Sequence, residues 1–156
     1  MLLSILRVVL FFLLAVVVAT VLGTLVQTQL NLAALQMIGV EIGVAERLAT
    51  TGRDLLGFTP IFAMLVGAAL ICALPVAELL GRVFKPWRGV LFALAGAVGI
   101  KVAFDVVDYL APMPTFIAAT RGMGGLLLMM IAVGVGSWLF GYLTRPAKKR
   151  GLRVLG

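Results

Sequence analysis

Apolar residues fall in four long runs along this chain, each bounded by charges, glycines or prolines. At 1.5 Å of rise per residue, about 20 mostly apolar residues are needed to cross the hydrocarbon core of a bilayer. The runs at residues 8–26, 59–80, 89–110 and 122–143 meet that length. The pattern therefore predicts an all-α fold: an integral membrane bundle of four transmembrane helices forming a single domain. The first run follows Arg7 and has no small-x-small cleavage site after it. It also exceeds the roughly 7–15 residues of a signal-peptide core, so it reads as a retained anchor.

The connections differ in character. Residues 30–57 are mostly apolar, which is unusual for a solvated loop. Within them Glu46, Arg47, Thr50, Arg53 and Asp54 fall on one side of a helix, and Val44, Leu48, Leu55 and Leu56 on the other. That division predicts an amphipathic helix lying in the membrane interface within a first outer loop. Upstream, Gly39 and Gly43 break the apolar stretch, which reads either as a structural lid over the bundle mouth or as a platform for a lipid-like substrate or a partner helix. The link between the second and third spans is short, with Pro86 and Trp87, and the third link carries Pro112, Pro114 and Thr115. Pro75 removes one backbone hydrogen bond from the second span. Small residues recur every four positions, as in Ala69, Ala73 and Ala77 or Ala95, Gly99 and Ala103, a pattern that lets helices pack closely in lipid.

Composition agrees with the periodicity. The chain is 63% apolar and 12% charged, against roughly 45–50% apolar in soluble domains. Its mean hydropathy is +1.20. The net charge of +7 is concentrated at one face. Arg7, Arg82, Lys85, Arg88, Arg145, Lys148, Lys149, Arg150 and Arg153 share that face, whereas Arg47, Arg53 and Arg121 lie on the other with Glu41, Glu46 and Asp54. The positive-inside rule then predicts an N-in/C-in, multi-pass protein of the plasma (bacterial inner) membrane. The basic tail at residues 145–156 reads as an orientation signal whose Arg145, Lys148, Lys149, Arg150 and Arg153 also meet anionic lipid headgroups. No aromatic residues interleave with these bases, so nucleic acid is not an expected partner. Membrane lipids, and a protein partner or a second copy of the chain, are expected.

There is no histidine and a single cysteine, Cys72. No disulfide can form within the chain, and the usual haem ligand, the commonest zinc ligand and the default general base are missing. No metal site and no cofactor are expected.

One polar cluster stands inside a span. Lys101, Asp105 and Asp108 are spaced i, i+4, i+7 and share a helical face. Counted from Gly89, Lys101 lies about 18 Å and Asp105 about 24 Å along the third span. Thr20, Thr24 and Gln27 repeat the same spacing at matching depth on the first span, and Arg121 is level with Asp108. Together these seven residues predict an outward-opening polar pocket. Its readings are a structural ion-pair network, a substrate or ion site, and a pair of catalytic carboxylates.

In size, span number and two aspartates near the outer face, the chain resembles the lipoprotein signal peptidases in outline. That resemblance implies one catalytic aspartate in an Asn-x-x-Asp-Arg segment and another at the start of the last span. Here the third span reads Phe104-Asp105-Val106-Val107-Asp108-Tyr109, with neither the Asn nor the Arg, and the fourth span has no acid. No catalytic residue carries over. The leading functional expectation is a small accessory or assembly subunit of an inner-membrane complex. A lipid or small-molecule binder or transporter using the Lys101 pocket comes second, and a membrane-embedded hydrolase using Asp105 and Asp108 third. The sequence leaves open whether the protein is an enzyme.

Overall fold

The computed structural model describes residues 2–111 and 117–145. Four helices carry the fold: α1 (Leu2–Met37), α2 (Val44–Val83), α3 (Arg88–Leu110) and α4 (Met123–Leu143). Short 3₁₀ turns at Lys85–Trp87 and Ala118–Arg121 lie in the second and third connections. There is no strand among the described residues. All four helices are long and apolar enough to cross a membrane, where only a helix or a closed barrel satisfies every backbone donor and acceptor internally. Pro112, Pro114 and Thr115, and the tail bases Lys148, Lys149, Arg150 and Arg153, lie outside the described residues.

The largest departure from the sequence reading is at the first connection. The expected outer loop with its own amphipathic helix is instead a tight turn at residues 38–43. Gly39 takes φ +88° there, a backbone region that a residue with a Cβ rarely enters. The Ile38 and Val40 amides close the turn on the Leu35 carbonyl. Gly43 then caps α2 in an extended conformation, and residues 44–56 form the first turns of α2 rather than a separate element. They are continuous with the span through Gly52, Gly57 and Pro60. The cause is polar pairing: Arg47, Thr51 and Asp54 all bond to side chains of α1, which holds the segment upright against that helix. The helices α1 and α2 have 36 and 40 residues, so they run about 54 and 60 Å. The helices α3 and α4, with 23 and 21 residues, run about 35 and 32 Å. Residues 34–41 and 43–46, at the tip of the α1–α2 hairpin, are exposed.

Each helix packs antiparallel on the next, and α4 returns to α1, closing a ring of four. A short diagonal brings α2 near α4, whereas α1 and α3 occupy the long diagonal, with no Cα atoms within 8 Å of each other among the described residues. Close approach depends on small residues. A Cβ at Gly136 would lie 2.6 Å from the Ala15 carbonyl oxygen on α1, and one at Gly96 would overlap the Ser137 Cβ. Ser137, fully buried, donates to the Phe92 carbonyl at 2.5 Å and ties α4 to α3. Phe62, Val66, Leu70, Phe92, Ile100 and Met129 fill the centre.

Candidate functional site

The long-diagonal arrangement decides what the predicted polar residues can do together. Thr20, Thr24 and Gln27 are buried, and α1 turns them toward helices other than α3. The Thr20 hydroxyl bonds back to the Val16 carbonyl within its own helix. Thr24 Oγ1 shares a 2.9 Å hydrogen bond with Thr59 Oγ1 of α2. Gln27 Oε1 accepts from the buried Ala119 amide at 3.0 Å, in the 3₁₀ turn before α4. The structure thus does not bring these three to Lys101, because equal depth on two diagonal helices does not make neighbours.

Thr24 instead belongs to a polar seam between α1 and α2, most of whose residues carry no signal in the spacing of the third span. Thr28 Oγ1 lies 2.7 Å from Asp54 Oδ2 and 2.9 Å from the Thr24 carbonyl, its one hydrogen shared between them. Gln29 Nε2 donates to Thr51 Oγ1 at 3.3 Å. The Arg47 guanidinium donates to Gln29 Oε1 at 2.9 Å and to Gln36 Oε1 at 3.0 Å. The available signal was the pairing of Gln29 and Gln36 on α1 with Arg47 and Thr51 across a turn marked by Gly39 and Gly43.

Lys101, Asp105 and Asp108 do share one face of α3, and that face points away from the bundle. Lys101 Nζ and Asp105 Oδ2 form an ion pair at 2.5 Å, with side chains 44% and 59% exposed. Asp108 is exposed, and it has no ion pair among the described residues. The buried side of the same helix is Phe92, Gly96, Ile100 and Phe104. Arg121, at the end of its 3₁₀ turn, is also exposed.

A second polar constellation occupies the opposite, basic end of the bundle. Glu78 of α2 pairs with Arg82 one turn along at 3.3 Å, as its spacing suggests, and with Arg88 of α3 at 2.7 Å. Arg88 is the better enclosed base, with its side chain 11% exposed. Its guanidinium also donates to Thr144 Oγ1 at 3.2 Å and stacks 4.7 Å over the Phe92 ring. Gly81 makes room for it, since a Cβ there would meet Arg88 Cγ at 3.2 Å. Three helices are therefore pinned by one side chain. Around it, Arg82, Lys85, Pro86 and Arg145 line a cavity of about 740 Å³. Arg145 is the one predicted headgroup residue among those described, and it lies over the Tyr142 ring at 5.1 Å.

An apolar groove of about 540 Å³ adjoins the same end, walled by Val8, Val9 and Phe12 of α1 and by Leu70, Ile71 and Pro75 of α2. Glu78 and Thr144 stand at its polar limit. No group of three or more potential metal ligands occurs among the described residues. No protein-family model, curated protein or solved structure matches this chain.

Proposed function

We propose that this protein is a small accessory subunit of a membrane complex, docked on a helix of a different polypeptide through the outward face of α3. The observation that carries the reading is the Lys101–Asp105 pair. Lys101 is 13 residues beyond Arg88 in a helix of 23 residues, about 20 Å along a rod of about 35 Å. The pair is thus near mid-helix, yet about half of each side chain points away from the bundle. A charged side chain at the centre of a span costs at least about 2.5 kcal/mol against hydrocarbon, so such residues normally face protein or water. The ion pair offsets part of that cost. Its order is the less favourable one for an i, i+4 pair, with the base before the acid. A neighbouring helix bearing polar side chains would remove the remainder and would also give Asp108 a partner.

A different chain is favoured over a second copy. Two copies inserted in the same direction around a two-fold axis would bring Lys101 level with Lys101 and Asp105 level with Asp105. The basic end, with Arg82, Lys85, Arg88 and Arg145, belongs on the cytoplasmic side by the same charge rule that orients other membrane proteins. Both termini are then cytoplasmic, the orientation expected of a multi-pass protein of the bacterial inner membrane.

Native mass spectrometry of gently extracted full-length protein tests the proposal. The expected result is a complex containing a foreign subunit, lost in Lys101→Leu/Asp105→Leu while helical content is retained. An assembly of copies of this chain alone, or a complex indifferent to the double substitution, would overturn it.

A further inference from the structure

The two cavities at the basic end share a wall, and their chemistry changes sharply across it. Glu78 lines both, and Thr144 at the limit of the groove accepts a hydrogen bond from Arg88, which lines the other. On one side lie aliphatic and aromatic walls, and on the other lie four bases against one carboxylate. Arg88 adds a second observation. Its Nε is buried and has no hydrogen-bond partner, although buried donors are seldom left unsatisfied. Because that nitrogen is out of reach of solvent, an incoming anion meets Arg88 at the edge that lines the cavity, beside the exposed Arg82 and Lys85.

From this we propose that the basic end holds one anionic phospholipid, with its phosphate in the cradle of Arg82, Lys85, Arg88 and Arg145 and one acyl chain in the groove between α1 and α2. The groove fits this role in position and size. It extends from Glu78 to Leu70 along α2, eight residues or about 12 Å. Its volume of about 540 Å³ lies within the roughly 300–1,000 Å³ of ordinary ligand sites. Guanidinium groups suit the head, because their paired donors match two phosphate oxygens. Pro75 stands on the groove wall and lacks the amide that would bond the Ile71 carbonyl, which loosens the ladder of α2 where the chain would lie. The Glu78 carboxylate holds Arg82 and Arg88 in place, and its single charge leaves the cradle cationic. This site is separate from the α3 face, so its test leaves the proposed subunit role untouched.

The test uses the full chain in detergent, with phosphatidylglycerol, phosphatidylcholine and inorganic phosphate as probes. Retention of lipid in native mass spectra and the shift in unfolding temperature are both read. Phosphatidylglycerol should be retained in preference to phosphatidylcholine and should raise the unfolding temperature. Arg82→Gln/Lys85→Gln alters two exposed side chains and should weaken retention by about tenfold or more. Ile71→Trp and Val9→Trp, at outward-facing positions 64% and 46% exposed, should fill the groove and displace the lipid in a protein that still folds. Equal retention of the two lipids would overturn the headgroup assignment. Protection by inorganic phosphate equal to that by phosphatidylglycerol would assign the cradle to the free ion instead. Undiminished retention in both tryptophan variants would overturn the groove.

Discussion

Gln27 Oε1 accepts the hydrogen bond of the Ala119 amide, 3.0 Å away, buried, and 92 positions distant in sequence. Ala119 sits in the 3₁₀ turn Ala118–Arg121, so one side chain of α1 anchors the connection that leads into α4. Gln27→Leu leaves that buried amide without its acceptor. The expected loss is about 1–3 kcal/mol, read from reversible unfolding in mixed micelles. An unchanged midpoint would show that the turn is held by other contacts.

Packing between α1 and α4 depends on Gly136. Its added Cβ would meet the Ala15 carbonyl oxygen and the Ala19 Cβ, both at 2.6 Å. Because backbone cannot yield as a flexible side chain does, Gly136→Ala should destabilise by about 1–3 kcal/mol. Gly67→Ala is the matched control. A methyl group there would have no neighbour within 4 Å, so the substitution should be neutral or stabilising by up to about 1 kcal/mol through helix propensity. The pair of melting curves checks the contrast.

The seam between α1 and α2 makes a coupling prediction. Thr28 and Asp54 are 2.7 Å apart, and each has its partner on the facing helix. A double-mutant cycle with Thr28→Val and Asp54→Asn should return a coupling of about 0.6 kcal/mol and no more than about 1.7, the range found for polar contacts between membrane helices. A coupling near zero would mean that apolar packing alone aligns the hairpin.

The four helices were legible because hydropathy over about 20 residues is a direct consequence of bilayer thickness. So was the shared face of Lys101, Asp105 and Asp108, which follows from the helical repeat alone. The direction of that face was not legible. It depends on which helix stands opposite, and α3 turned out to be diagonal to α1, so Thr20, Thr24 and Gln27 found partners elsewhere. The amphipathic pattern from Val44 to Leu56 was likewise visible as a helix. Its merging with the span was hidden because Gly52, Gly57 and Pro60 look like a boundary. What overrode that signal was the set of bonds from Arg47, Thr51 and Asp54 to α1. The Glu78–Arg88–Thr144 constellation joins residues from three helices, which spacing within one helix cannot reveal.

Position-specific photo-crosslinking in intact membranes tests the central claim most directly. A photoreactive residue replaces Leu94 or Val98, exposed on the α3 face beside Lys101, or Val17, exposed on α1 across the bundle. Docking through α3 predicts a protein adduct of one defined mass from Leu94 and Val98, absent from Val17 and lost when Lys101→Leu/Asp105→Leu is added. Lipid adducts alone at Leu94 and Val98, or an equal protein adduct from Val17, would contradict it.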